Sequence, residues 1–226
     1  MLAVLPILFQ DTRFVVLDKP SGLPVHPGPA GGPSVESFFP QLSRRPQLSR
    51  PPQLSRRRDG PWLAHRLDAD TSGCLVVALR RTALHAAQAA FADRRVNKTY
   101  WAVVTGHPGE PAGQIDRPLL KINERSGWRM VVDPNGAAAA TDWRVLGQDA
   151  RHTWLELHPR TGRTHQIRIH CAALGCPLVG DSIYGGEPGK LHLLARAIRL
   201  PLSPPVAATA PPPAHMLDAL HRLGFA

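Results

Sequence analysis

The chain has 226 residues, with 27 Lys and Arg against 17 Asp and Glu, a formal net charge of +10 and a pI of about 10.7. That length suits one large domain, and 43% hydrophobic residues can bury a sizeable core. No apolar run approaches the ~20 residues of a membrane span. Three cysteines make no disulfide framework, and so large a positive excess points to a polyanion, nucleic acid ahead of an anionic membrane surface.

The opening MLAVLPILF lacks the basic front and cleavage site of a signal peptide and reads as a first strand, in a cytoplasmic protein. Residues 7–18, ILFQDTRFVVLD, read as two short strands around a turn at Asp11. KPSG and HPGPAGGP form a Pro/Gly-rich loop. The unit Pro-Gln-Leu-Ser-Arg then occurs three times, starting at Pro40, Pro46 and Pro52. It is too short and polar for a solenoid, so residues 40–58 read as a mobile basic loop inserted in the domain. CLVVALR (74–80) is a buried strand, and Leu84, Ala87 and Phe91 give 82–93 an amphipathic helical spacing. KTYWAVVTG (98–106) is a strand; GWRMVVD and ATDWRVLG are two more, separated by a turn at PNG; HTWLELHP is another. TGRTHQIRIHCAALG reads as a loop entering a helix, stopped by Gly175 and Pro177. LPLSPPVAATAPPP should run along the surface before a last helix near 216–223. Sequential strands outnumber helices, which predicts an α+β domain around a mainly antiparallel sheet.

Three groups of residues can carry chemistry. In AHRLDADTSG (64–73), Asp68 and Asp70 are two apart and share a face if the segment is extended. Asp70 begins DTSG, where a turn-capping role suffices. Asp68 stands at the mouth of a buried strand and either caps the turn or points into a cleft. The DTSG string resembles the aspartic protease signature, but charged residues precede it and no second acid loop exists to share a proton. The second group, RTGRTHQIRIH (160–170), packs three arginines and two histidines into eleven residues, with Arg168 one helical turn beyond His165. An arginine there can pair a phosphate or a carboxylate bidentately. Cys171 and Cys176 lie near His165 and His170, but without a Cys-x-x-Cys pair no metal site is expected. Third, Tyr100 alternates with Trp101 on a strand; a tyrosine facing a cleft stacks on a base for roughly 1–3 kcal/mol.

Together these stretches resemble the RluA-type family of RNA pseudouridine synthases. HRLDADTSG matches the signature His-Arg-Leu-Asp-x-x-Thr-Ser-Gly at every fixed position. DKPSGLPVHPG, NKTYWAVV, LHPRTGRTHQIRIH and GDSIYGG resemble four further motifs in the family's order. The resemblance implies the pseudouridine synthase fold and the conversion of uridines in structured ribosomal or transfer RNA to pseudouridine. By motif match Asp68 is the nucleophile, Arg168 its partner and Tyr100 the stacking residue on the target uracil. Arg66 fills the gap left by the flipped nucleotide, and His65, Arg163 and His165 are expected to bind substrate. An arginine beside Asp68 would keep it ionised. The implied reaction is an isomerisation, so neither cofactor nor metal is expected, and the enzyme should act as a monomer. The alternative is a non-catalytic RNA-binding protein on the same fold, against which the intact Asp68 context argues. Three features depart from the family pattern. No separate RNA-binding domain is expected ahead of the first motif. The Arg-rich repeat is not a family feature. LHLLARAIRL matches the family's Leu-His-Ala segment only at Leu191 and His192, which leaves the C-terminal wall of the pocket open.

Overall fold

The computed structural model describes residues 4–28, 31–42, 60–124 and 127–226. Most of the repeat at 40–58 lies outside them. The chain divides into two compact units, one of residues 1–97 with 197–210, the other of 98–196 with 211–226.

In the first unit β1 (Ile7–Gln10), β2 (Phe14–Lys19), β3 (Trp62–Leu63) and β4 (Ser72–Ala78) pair antiparallel, β2 on β1 and β4, β3 on β4. The chain is in coil before Pro6, so the opening strand starts later than its apolar composition suggests. Residues 14–17 and all of β4 are buried. Their unbroken apolar runs, without polar alternation, are what a strand covered on both faces requires. A 3-10 turn (Val35–Phe38) leads into the short α1 (Phe39–Leu42). The longer α2 (Arg81–Ala92) buries Ala83, Ala87 and Ala90, not the predicted Leu84 and Phe91, which are half-buried. Alanines let a helix lie close, and Phe91 instead sits against the His65 ring.

In the second unit β5 (Asn97–Thr105), β6 (Ala112–Asp116), β9 (Ala140–Gln148) and β10 (His152–Pro159) form the antiparallel order β5-β10-β9-β6. β7 (Leu119–Glu124) and β8 (Gly127–Val132) form a hairpin of their own. The predicted turn at PNG therefore does not join a hairpin, because β8 turns back on β7 and β9 on β10. Gly136 in that turn lies against the Leu119 backbone, where a Cβ would meet the carbonyl carbon at 2.4 Å. β10 alternates, and Leu155 and Leu157 face Ile167 and Cys171 of α3 (Gln166–Ala173) in one core. β11 (Leu193–Leu200) runs from this unit into the first, where its end pairs with β12 (Val206–Thr209). The Pro-rich tail is thus not a surface segment throughout: Leu200, Val206 and Ala210 are fully buried. The last helix, α4 (Ala214–Arg222), buries Met216, Ala219 and Leu220. Cys74, Cys171 and Cys176 are buried and form no disulfide with one another. The class is α+β with antiparallel strand pairs, as the sequence suggests.

Candidate active site

The HRLDADTSG segment enters β4. Leu67 is buried as an anchor, Arg66 and Asp70 are exposed, and Asp68 between them is half-buried. His65 Nε2 accepts the Val76 N–H at 3.0 Å, which fixes the ring's tautomer and ties the loop's start to β4. The turn closes with Thr71 N–H donating to the Asp68 carbonyl at 3.2 Å. KPSG grips the same turn: Gly22 N–H donates to the Ala69 carbonyl and Ser21 Oγ to the Asp70 carbonyl.

Beneath the turn lies Lys19, fully buried. Its Nζ donates to the carbonyls of Pro20, Leu23 and Ala69 at 2.8, 2.8 and 2.7 Å. Three acceptors match the three N–H donors of an ammonium. Burial pulls its pKa down to about 8, against the upward pull of Asp70 and Asp68. A buried cation thus holds the peptide between the two acids.

In the second unit the RTGRTHQIRIH segment is set by a buried polar network. Gln166 Oε1 accepts Thr161 Oγ1 and the Arg163 N–H, while its Nε2 donates to the Ala140 carbonyl and Thr141 Oγ1. Thr141 Oγ1 lies 2.9 Å from His170 Nδ1, and His170 Nε2 lies 3.1 Å from the Arg117 carbonyl. The chain of bonds closes when Nε2 carries the hydrogen and Nδ1 accepts from the hydroxyl. Burial also pushes the His170 pKa down, favouring that neutral ring. Arg163 is exposed, its Nε on the Ala138 carbonyl. Lys98 Nζ donates to the Thr161 carbonyl, and burial lowers its pKa to about 8.

His165 caps α3 at φ 54°, in the left-handed region that non-glycine residues rarely occupy. Its Nδ1 lies 2.8 Å from Tyr184 Oη, and its ring stacks on Trp128. Arg168, one turn on, is buried, and its Nε and Nη2 donate to Asp181 at 2.8 and 2.7 Å. Burial works against the Asp181 charge, but Arg168 and the Ile183 and Tyr184 N–H groups outweigh it and hold the carboxyl below its usual range. The guanidinium also lies over the Tyr184 ring, 5.2 Å from its centroid. Tyr100, on β5 opposite Leu157, is half-buried against the unit's core.

Each unit therefore carries one half of the predicted set: His65, Arg66 and Asp68 in the first, Tyr100, Arg163, His165 and Arg168 in the second. Three supporting residues had no assigned role in the sequence reading, namely Lys19, Asp181 and Tyr184. Their only sequence signal was membership of DKPSG and GDSIYGG. A rigid loop presenting a half-buried carboxylate suits a nucleophile or base, and the Arg168 guanidinium is held in one orientation by its carboxylate partner Asp181.

Residues 13–173 match the family described as RNA pseudouridylate synthase. The chain is 37% identical over 227 residues to an uncharacterized RNA pseudouridine synthase of Zymomonas mobilis, covering 97% of each chain. It is 34% identical over 195 residues to a protein of the same organism named ribosomal large subunit pseudouridine synthase D, covering 86% of this chain and 60% of that longer one. Among solved structures it resembles human RNA pseudouridylate synthase domain containing 4, with a TM-score of 0.77 and 29% identity, over 96% of this chain and 92% of that one.

Proposed function

The chain belongs to the RNA pseudouridylate synthase family, and from that premise we propose that it isomerises chosen uridines of structured RNA, ribosomal or transfer, with Asp68 as the nucleophile. The observation that carries the assignment is the family match over residues 13–173, which contains HRLDADTSG with every fixed position intact.

A base inside a helix must first be flipped out, which costs a few kcal/mol. Arg66, exposed at the head of the loop, fills the vacated space. His65 acts through it: with Nε2 committed to Val76, the ring sets the angle at which Arg66 leaves the loop. Tyr100 gives the flipped uracil a stacking face. The Asp68 carboxylate attacks the anomeric carbon of the ribose and the N-glycosidic bond breaks. The uracil turns and its C5 attacks the same anomeric carbon, so the bond to Asp68 breaks and the carboxylate is regenerated. The C5 hydrogen is lost as a proton and N1 gains one, so the reaction balances without oxidant, reductant or net water. Arg168 is the arginine partner of the acid on its motif match, and its clamp on Asp181 supports a fixed orientation. Arg163 and His165 bind the RNA backbone beside it. A relative named for the large ribosomal subunit supports ribosomal RNA as substrate.

The test is Asp68→Asn, which keeps size and removes only the charge. It should abolish pseudouridine formation and leave RNA affinity near that of the parent. Turnover at a substantial fraction of the parent rate would overturn the mechanism. Pseudouridine mapping of RNA from a strain lacking the gene identifies the target uridine and decides between ribosomal and transfer RNA.

A further inference from the structure

The large apolar side chains exposed among the described residues are Val4, Ile7, Trp128, Val132 and Ile183. Three belong to the second unit: Trp128 and Val132 on β8, and Ile183 beside Tyr184. A single exposed apolar side chain is ordinary, but Trp128 differs in how it is held. Its indole is 46% exposed and yet stacked on the His165 ring, with centroids 5.3 Å apart and planes at 30°. Lys121, from the neighbouring strand, brings its Nζ to 4.8 Å from the indole centroid.

His165 is itself fixed. It sits in the left-handed backbone region, and its Nδ1 is bonded to Tyr184 Oη, which also accepts the Met130 N–H at 3.3 Å. Tyr184 in turn stacks under the Arg168 guanidinium. The exposed indole is thus the outer end of a rigid line of rings that leads to Arg168 and Asp181. A side chain immobilised before binding loses little further entropy when a ligand settles on it. Lys121 is exposed, so the ring has a solvent-facing cation beside it. An aromatic ring beside a cation suits a nucleotide, because every base has a face that stacks and its phosphate meets the cation.

We propose that Trp128 is a stacking platform for an unpaired base of the bound RNA, one that lies outside the target uridine. The base extends the Trp128–His165 stack, and the flexible Lys121 ammonium turns from the ring to the phosphate. This rests on the RNA-modifying reading above and adds a contact that HRLDADTSG and RTGRTHQIRIH do not contain.

The test compares the parent, Trp128→Ala and Trp128→Phe by fluorescence anisotropy with a labelled single-stranded oligoribonucleotide and with the same sequence as a duplex. Trp128→Ala should weaken single-strand binding by about tenfold or more, and Trp128→Phe should restore most of it. The duplex, with its bases stacked internally, should lose far less. Indole emission of the parent should fall on adding the single strand, and Trp128→Phe, which keeps a ring in place, should lose most of that fall. Single-strand affinity of Trp128→Ala within twofold of the parent, or an undiminished fall in Trp128→Phe, overturns the proposal. Pseudouridine formation by the parent preparation separates the two readings. An active parent with an unaffected Trp128→Ala sinks only the stacking role; a parent inactive on every RNA sinks the functional reading and this one with it.

Discussion

Lys19→Met removes the ammonium that ties Ala69, between Asp68 and Asp70, to the KPSG turn. The variant keeps the length of the side chain and loses three hydrogen bonds. Each of the three carbonyls left behind, in part-buried bonds, costs at most roughly 1–3 kcal/mol. Against this, the variant is relieved of desolvating a charge. A pKa lowered from 10.5 to about 8 corresponds to a penalty of about 3 kcal/mol. The net loss at neutral pH should be roughly 0–6 kcal/mol, with loss of activity as the Asp68 turn loosens. The pH dependence is the sharper test. The folded chain releases the Lys19 proton near pH 8 and the unfolded chain near 10.5, so in that window the unfolded state binds more protons and stability rises with pH. Relative to Lys19→Met, the parent should gain about 2.5 kcal/mol between pH 7 and pH 10. Urea unfolding of both chains across that range measures the gap, and groups that titrate in both chains, Lys98 among them, cancel. A gap that stays constant from pH 7 to 10 would refute the reasoning, because Lys19 would then carry no depressed pKa.

Arg168→Ala leaves the Asp181 carboxylate buried without its main partner and should cost roughly 3–5 kcal/mol, read by calorimetry as a fall of about 6–20 °C in Tm. Arg168→Met combined with Asp181→Leu should recover much of that stability, since no lone buried charge remains, while activity stays lost. Asp70→Asn should be far milder than Asp68→Asn in a pseudouridine assay, because Asp70 is exposed and occupies a variable motif position. Deleting 40–58 removes Arg44, Arg45, Arg50, Arg56, Arg57 and Arg58 and should weaken RNA binding and flatten its salt dependence, each lost phosphate contact changing the slope by about 0.7–0.9. Equal salt slopes would show that the repeat meets no phosphate.

What could be read from the sequence follows how local each signal is. β2 and β4 announce themselves as FVVL and CLVVA because burial on both faces demands unbroken apolar runs. β6, AGQID, has no such signature: it is largely exposed and exists through its register with β9. β12 hides in a proline-rich stretch, since composition speaks for the local backbone and its strand is made by pairing with residues 197–200. The same holds for the site. Asp68 was legible from its motif, and Arg168 from its helical spacing to His165. Asp181 was not, because a partner 13 residues away on the far side of a loop leaves no periodic trace. Lys19 looked like the end of a strand, and only the three carbonyls gathered around it reveal its work.

The late return of residues 197–210 to the first unit sets a timetable for synthesis. Cys74 meets the Ala208 carbonyl, and Arg13 reaches the carbonyls of Ser203 and Pro204. Those partners leave the ribosome about 100 residues after residue 97, the last of the unit's first segment. At roughly 5–20 residues per second the wait is about 5–20 s. Throughout it the apolar strands β2 and β4 exist without the final piece of their own unit. The nascent chain is therefore exposed to holding chaperones and to misassociation for a defined interval. A circular permutant opened in the turn between β11 and β12, so that residues 203–226 precede residue 1, would shorten that interval and leave both strands uncut.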